Sequence, residues 1–203
     1  IVQSKAGIPL GSLANPLKIG YAGLLMASKG VHTFVKALIS LREKGIIIQA
    51  NLAGAAFQSG YREQLELMLR NAELEGSVRF WGQLDRTRLS RFWSIHHIGV
   101  FPSIHPEAFG ISAAEIMASG LCLFTTGVGG AGELIEDSVS GLKFEPGQSD
   151  SLVNIIESSL KDPLWLESIA IAGHNRAVQH FNVEQSAKQL EELFLKMNHS
   201  PTL

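Results

Sequence analysis

Short apolar runs alternate with helix-period segments along nearly all of this 203-residue chain, and that alternation restricts its fold more than any other feature. Strand-like runs fall at 18–22, 46–53, 77–81, 98–101, 121–125 and 141–144. Helical patterns fall at 30–44, 61–73, 85–94, 110–119, 131–135, 149–160, 164–180 and 183–197. Strands that take turns with helices are joined by crossovers, so they pair side by side in parallel. The fold class is therefore α/β: a Rossmann-like parallel sheet of about six strands with helices on both faces. In open sheets of this kind ligands sit beyond the carboxyl ends of the strands. Those ends are Gly23, Gly54-Ala55, Trp81-Gly82, 103–107, 127–130 and Glu145-Pro146, most of them glycine-rich or polar.

The length suits one sizeable core. Hydrophobic residues make up 45% and charged residues 18%, ordinary for a globular domain, and a formal net charge of −2 gives no general attraction to nucleic acid or anionic membrane. The single cysteine, Cys122, excludes an intrachain disulfide and reads as apolar filler. No apolar stretch approaches a transmembrane span and no signal pattern opens the chain. These features suggest a cytoplasmic protein. Residues 1–16 have no clear period and read as a linker, leaving 17–203 as the folded domain. Asn182 with Gln185 three residues on resembles a capping box, and Val183, Ala187, Leu190 and Phe194 make an apolar stripe on the helix at 183–197.

Two carboxylates carry the chemistry. Glu107 lies in the loop after the strand at 98–101, and Glu115 in the helix that follows the Phe109-Gly110 pair. A carboxylate among Ala113, Ala114, Ile116 and Met117 is costly to bury unless something pairs with it, and the vicinal hydroxyls of a polyol are suitable partners. The N–H groups near Gly110 and Ile111 sit at the positive end of that helix, where a phosphate is favoured. One short segment is thus suited to a sugar, a phosphate and a ribose together.

The segment resembles the Glu-x7-Glu motif of retaining glycosyltransferases with the GT-B fold, the family known as glycosyl transferases group 1. Gly23-Leu-Leu-Met-Ala-Ser-Lys-Gly30 is similar to that family's Gly-Arg-Leu-x-x-x-Lys-Gly, Phe80-Trp-Gly82 to its Phe-x-Gly, and Gly129-Gly-Ala-Gly-Glu133 to its Gly-Gly-x-x-Glu. The resemblance covers about residues 17–197 and matches only the C-terminal, donor-binding half, so it implies an N-terminal acceptor domain that this sequence lacks. It implies that Glu107 holds the donor sugar, Glu115 the ribose diol and Lys29 the diphosphate. Gly23, Gly54, Phe80, Phe109, Gly110 and Ile111 would complete the donor site. It further implies a nucleotide-diphosphate sugar as substrate, no metal and no cofactor, retention of anomeric configuration, and any membrane contact through the absent domain. Leu24 departs from the pattern, because the family usually has Arg there as a second cation for the diphosphate.

That departure keeps a rival reading open, a non-catalytic nucleotide-sugar binding or regulatory domain. A GT-B epimerase or phosphorylase is a second rival, the latter marked by a lysine-bound pyridoxal. Other motifs carry less. Gly127-Val-Gly-Gly-Ala-Gly132 satisfies the dinucleotide fingerprint G-x-G-x-x-G, but the helix after it is too short and comes too late in the sheet. It reads as a phosphate or sugar loop. His96-His97 lacks a third ligand at metal spacing. His105 reads as a loop residue, and Trp81, Trp93 and Trp165 as packing. If the N-terminal half is absent, Val183, Leu190 or Phe194 should be left partly uncovered or buried by self-association.

Overall fold

The computed structural model describes residues 9–198. Six strands form one sheet: β1 (Leu17–Ala22), β2 (Ile48–Ala53), β3 (Val78–Gly82), β4 (Ile98–Phe101), β5 (Cys122–Thr125) and β6 (Leu142–Lys143). Their order is β3-β2-β1-β4-β5-β6, and every neighbouring pair is parallel. The chain builds outward from β1 to β3, then returns to the other side of β1 with β4. The switch of direction between β1 and β4 leaves a crevice at their carboxyl ends, where crossovers diverge to opposite sides.

Among the described residues six α-helices pack on the sheet, α1 (Val31–Glu43), α2 (Tyr61–Asn71), α3 (Arg86–Trp93), α4 (Ile111–Ala118), α5 (Ser149–Lys161) and α6 (Pro163–His180), and α7 (Val183–Asn198) follows them. Strand alternation sends Leu17, Ile19 and Tyr21 to one face, where they meet Phe34 and Leu38 of α1 and Ile156 of α5. Ala22, Phe101 and Leu123 join the opposite core with Trp93 of α3, Ile116 of α4 and Ala177 of α6. Gly99 lets α4 lie close on β4, since a Cβ there would come 2.5 Å from Ile116 Cγ2.

Several expectations need correction. The part of 1–16 that the structure describes is not a linker. Leu10 is buried, and the carbonyl of Gly11 accepts the Ile47 N–H at 2.8 Å. That contact also bears on why β2 starts at Ile48 rather than at 46: the Ile47 N–H goes to Gly11, outside the sheet, while its carbonyl accepts from Leu17 of β1. The predicted helix at 131–135 shrinks to a single 3-10 turn, Gly130–Gly132, because its start is crowded with Gly129, Gly130 and Gly132, and glycine is costly to order in a helix. Along α7 the stripe is uncovered as expected, with Val183, Leu190 and Phe194 each more than half exposed.

Candidate functional site

A cavity of about 340 Å³ opens at the crevice between β1 and β4. Tyr21, Ala22, Gly23 and Leu24 line it from the end of β1, and Phe101, Pro102 and Ser103 from the end of β4. The loop 107–110 and the first residues of α4 close the third side. Lys29 reaches in from a 3-10 turn, Ala27–Lys29, at the head of α1.

Glu107 is held before any ligand arrives. Lys29 Nζ donates to its Oε1 at 2.6 Å, and Ser103 Oγ donates to the same oxygen at 2.5 Å. Ser103 is itself fixed, because Thr126 Oγ1 donates to its carbonyl at 2.6 Å. The Glu107 side chain is 16% exposed and that of Lys29 28%, so the pair is partly desolvated. Among the described residues Oε2 of Glu107 has no hydrogen-bond partner, which leaves one acceptor oxygen for hydroxyl groups. Tyr21 lies beneath, donating its hydroxyl to the Leu24 carbonyl at 2.9 Å. Burial pushes its pKa up and the Glu107 charge adds to the effect, so Tyr21 is a neutral donor.

Gly110 caps α4 in the left-handed region, at φ 90° and ψ 58°, which a side chain there would strain. This bend turns the amino end of α4 toward the cavity wall formed by Ile111 and Ser112. The first N–H groups of a helix lack partners within it and favour an anion. A second cavity of about 290 Å³ adjoins the first and shares Ala22, Gly23, Leu24 and Ser112 with it. Gly54, Gln83, Leu84 and Leu89 line its far side.

Of the residues singled out in the sequence, Lys29, Glu107, Phe109, Gly110, Ile111 and Gly23 line the first cavity and Gly54 the second. Glu115 sits one turn behind Ser112 on α4 and lines neither. It is half-buried, and desolvation raises its pKa, only partly offset by the Arg86 guanidinium and the Trp93 indole. The Trp93 Nε1–H is itself buried and closes no full hydrogen bond. Phe80 falls outside the site. It lies under the Arg62 guanidinium of α2, 5.2 Å from ring centroid to Cζ, because the alternation of β3 turns it away from the second cavity. Leu24 is 38% exposed and lines both cavities, with no cation of its own to offer.

Sequence reasoning missed Ser103, Tyr21 and Ser112. Their roles come from hydrogen bonds and chain crossings between distant segments. His96 belongs to a buried network. The Trp81 indole donates to Asn51 Oδ1 at 2.8 Å, so Asn51 Nδ2 donates to His96 Nε2 at 2.9 Å. Burial lowers the His96 pKa to about 4 and keeps the ring neutral. Among the described residues no group of acidic, histidine or cysteine side chains could hold a metal ion. No helix among them is long and apolar enough to cross a membrane.

With this geometry in place, a family model described as glycosyl transferases group 1 matches residues 9–178. The chain belongs to that family. Its six-stranded parallel sheet is the architecture of GT-B glycosyltransferase domains. The Anabaena protein HepE, solved in complex with UDP-glucose, superposes with a TM-score of 0.83 at 28% identity, over 90% of this chain and 50% of that one. The C-terminal domain of a group 1 glycosyl transferase, LpcC of Francisella tularensis, gives a TM-score of 0.76 at 25% identity, over 82% of this chain and 87% of that domain. A glycogen synthase of Mycobacterium tuberculosis is 30% identical over 180 residues, 89% of this chain and 42% of that protein. The chain thus spans about half, or less, of the longer relatives it matches.

Proposed function

We propose that this chain is the donor-binding half of a retaining glycosyltransferase that uses a nucleotide-diphosphate sugar. The observation that carries the reading is the Lys29–Glu107 pair facing the amino end of α4 across one cavity. A carboxylate with a free oxygen suits sugar hydroxyls, a cation and orphan N–H groups suit a diphosphate, and both stand at the switch point of the sheet. HepE, which binds UDP-glucose, shares the fold at 28% identity.

In this reading the diphosphate lies along the first N–H groups of α4 beside Lys29, with the sugar against Glu107. The nucleoside enters the second cavity, with its ribose diol toward Glu115 through a small movement of that side chain. As the bond from the anomeric carbon to the diphosphate oxygen breaks, Lys29 and the α4 amides stabilise the charge that develops on the leaving group. The acceptor oxygen bonds to the anomeric carbon on the same face and its proton passes to the leaving diphosphate. The acceptor is held by an N-terminal domain. No metal takes part, and the protein works in the cytoplasm.

Leu24 favours a second reading, a nucleotide-sugar binding domain without transfer activity, since the diphosphate would meet only one cavity-lining cation. A thermal-shift and calorimetry panel of UDP-, GDP- and ADP-sugars tests both, because binding to the folded state stabilises it. The donor reading expects stabilisation by one nucleotide-sugar class, unchanged by a chelator. No stabilisation by any of them refutes it. Binding combined with no transfer, when the N-terminal half is present, selects the second reading.

A further inference from the structure

One cluster of contacts reaches the candidate site from behind and serves none of the roles above. Arg176, on α6, lies against the glycine-rich loop. Its Nε donates to the Leu134 carbonyl at 2.7 Å and its Nη2 to the Glu133 carbonyl at 3.1 Å. Those carbonyls end the 3-10 turn Gly130–Gly132 and have no helix of their own to satisfy them. Among the described residues, no other side chain hydrogen-bonds to 128–135.

The opposite side of the same loop touches the backbone of Glu107. The Gly130 N–H donates to the Glu107 carbonyl at 2.7 Å, and the Glu107 N–H donates to the Val128 carbonyl at 3.2 Å. The fit is tight: a Cβ added to Gly130 would lie 2.1 Å from the Ala108 carbonyl oxygen, and one added to Gly129 2.5 Å from that of Glu107. Glu107 therefore lies one hydrogen bond from a loop that Arg176 clamps. A segment with glycine at 127, 129, 130 and 132 loses much freedom on ordering, and a clamp at its exit limits the alternatives. A guanidinium suits the task, since its fixed fork of donors satisfies two adjacent carbonyls at once.

We infer that Arg176 is a positioning residue: through the loop 127–134 it fixes the backbone of Glu107 and so aims the Glu107 carboxylate at the donor sugar. The inference rests on the donor reading above. It predicts separable effects, because the diphosphate contacts come from α4 and Lys29 whereas the sugar contact comes from Glu107.

The test is Arg176→Ala in the 203-residue chain. Amide hydrogen exchange should be at least about tenfold faster at Gly130 and Glu107, with core amides of α1 unchanged. Calorimetry is run with the pair that binds best among UDP and UDP-glucose, GDP and GDP-mannose, and ADP and ADP-glucose. The extra affinity of the sugar conjugate over its diphosphate should fall by about tenfold, with the diphosphate itself held within about twofold. Millimolar guanidinium should restore much of the loss, which general damage to the fold would not allow. Where the alanine variant does not fold, Arg176→Lys keeps the charge but not the fork and should show the same pattern in weaker form. Unchanged exchange at Gly130, or equal losses for diphosphate and conjugate, overturns the role of Arg176. A wild type that binds none of the three pairs overturns the donor reading and this role with it.

Discussion

Glu107 and Glu115 stand eight residues apart on one loop and helix, and the two carboxylates meet opposite conditions. Glu107 is charge-compensated by Lys29 and oriented by Ser103, so it is ready before ligand binds. Among the described residues Glu115 forms no salt bridge; it is half-buried and has its pKa raised by desolvation. A paired carboxylate contributes to the fold and to the site together. An unpaired one is an energetic liability to the fold, and hydroxyl donors from a ligand would relieve it. On the proposed donor reading, the difference separates a residue that is preorganised from one that the ligand would complete.

The largest test replaces each in turn. Glu107→Ala should remove the sugar's share of donor affinity and leave the nucleoside diphosphate near its original affinity. Glu115→Ala should weaken the nucleoside diphosphate itself. Each lost charge-assisted contact is worth roughly 1.5–3 kcal/mol, so calorimetry with diphosphate and full donor resolves the two patterns. Equal losses for both ligands in both variants would erase the distinction. Without ligand the same pair should differ in stability. Glu107→Gln should lower the unfolding free energy measured in urea by about 1 kcal/mol, since it breaks the Lys29 pair, whereas Glu115→Gln should be neutral or stabilising. A Glu115→Gln variant less stable than Glu107→Gln would show that Glu115 is structurally paired after all.

The same contrast shows how much could be read from the chain. Strands and long helices were legible because burial on both sides leaves a strong apolar signature; Glu107 and Gly110 were singled out from the local sequence and Lys29 from a family resemblance, and all three line the first cavity. Contacts between remote segments leave no such trace. Nothing near Arg176 announces that its guanidinium meets the carbonyls of 133 and 134, and nothing near Ser103 announces its bond to Glu107. Phe80 was misplaced because a strand-end motif does not say which face its ring takes, and here α2 and Arg62 claim it. Residues 9–16 looked like a linker because a short tract anchored by Leu10 and Gly11 has no period to detect.

Leu24 offers a smaller way to sharpen the comparison. It lines both cavities yet brings no charge, so among the described residues Lys29, already committed to Glu107, is the one cation lining these two cavities. Leu24→Arg should tighten diphosphate binding by about 1 kcal/mol and make the affinity fall more steeply with salt. It should leave the sugar increment, which depends on Glu107, unchanged. Unchanged affinity and salt slope would mean the diphosphate does not lie beside this loop.

The smallest expected effect is in pH, and it isolates Glu115. Its carboxyl is raised above the ordinary glutamate value in the free protein, by desolvation first, with Arg86 and Trp93 opposing. Ribose hydroxyls donate to the charged form, so binding should draw the pKa back down and release a proton. Affinity for the nucleoside diphosphate is then full above the raised free-state pKa and declines as pH falls through it, earlier than an unshifted glutamate would allow. The phosphate titrates in the same range, so Glu115→Gln, which cannot ionise, supplies the baseline. Between pH 7.5 and 5 the wild type should lose more affinity than that variant. Parallel pH profiles for wild type and Glu115→Gln would remove Glu115 from the nucleoside site and leave its burial a matter of packing between α3 and α4.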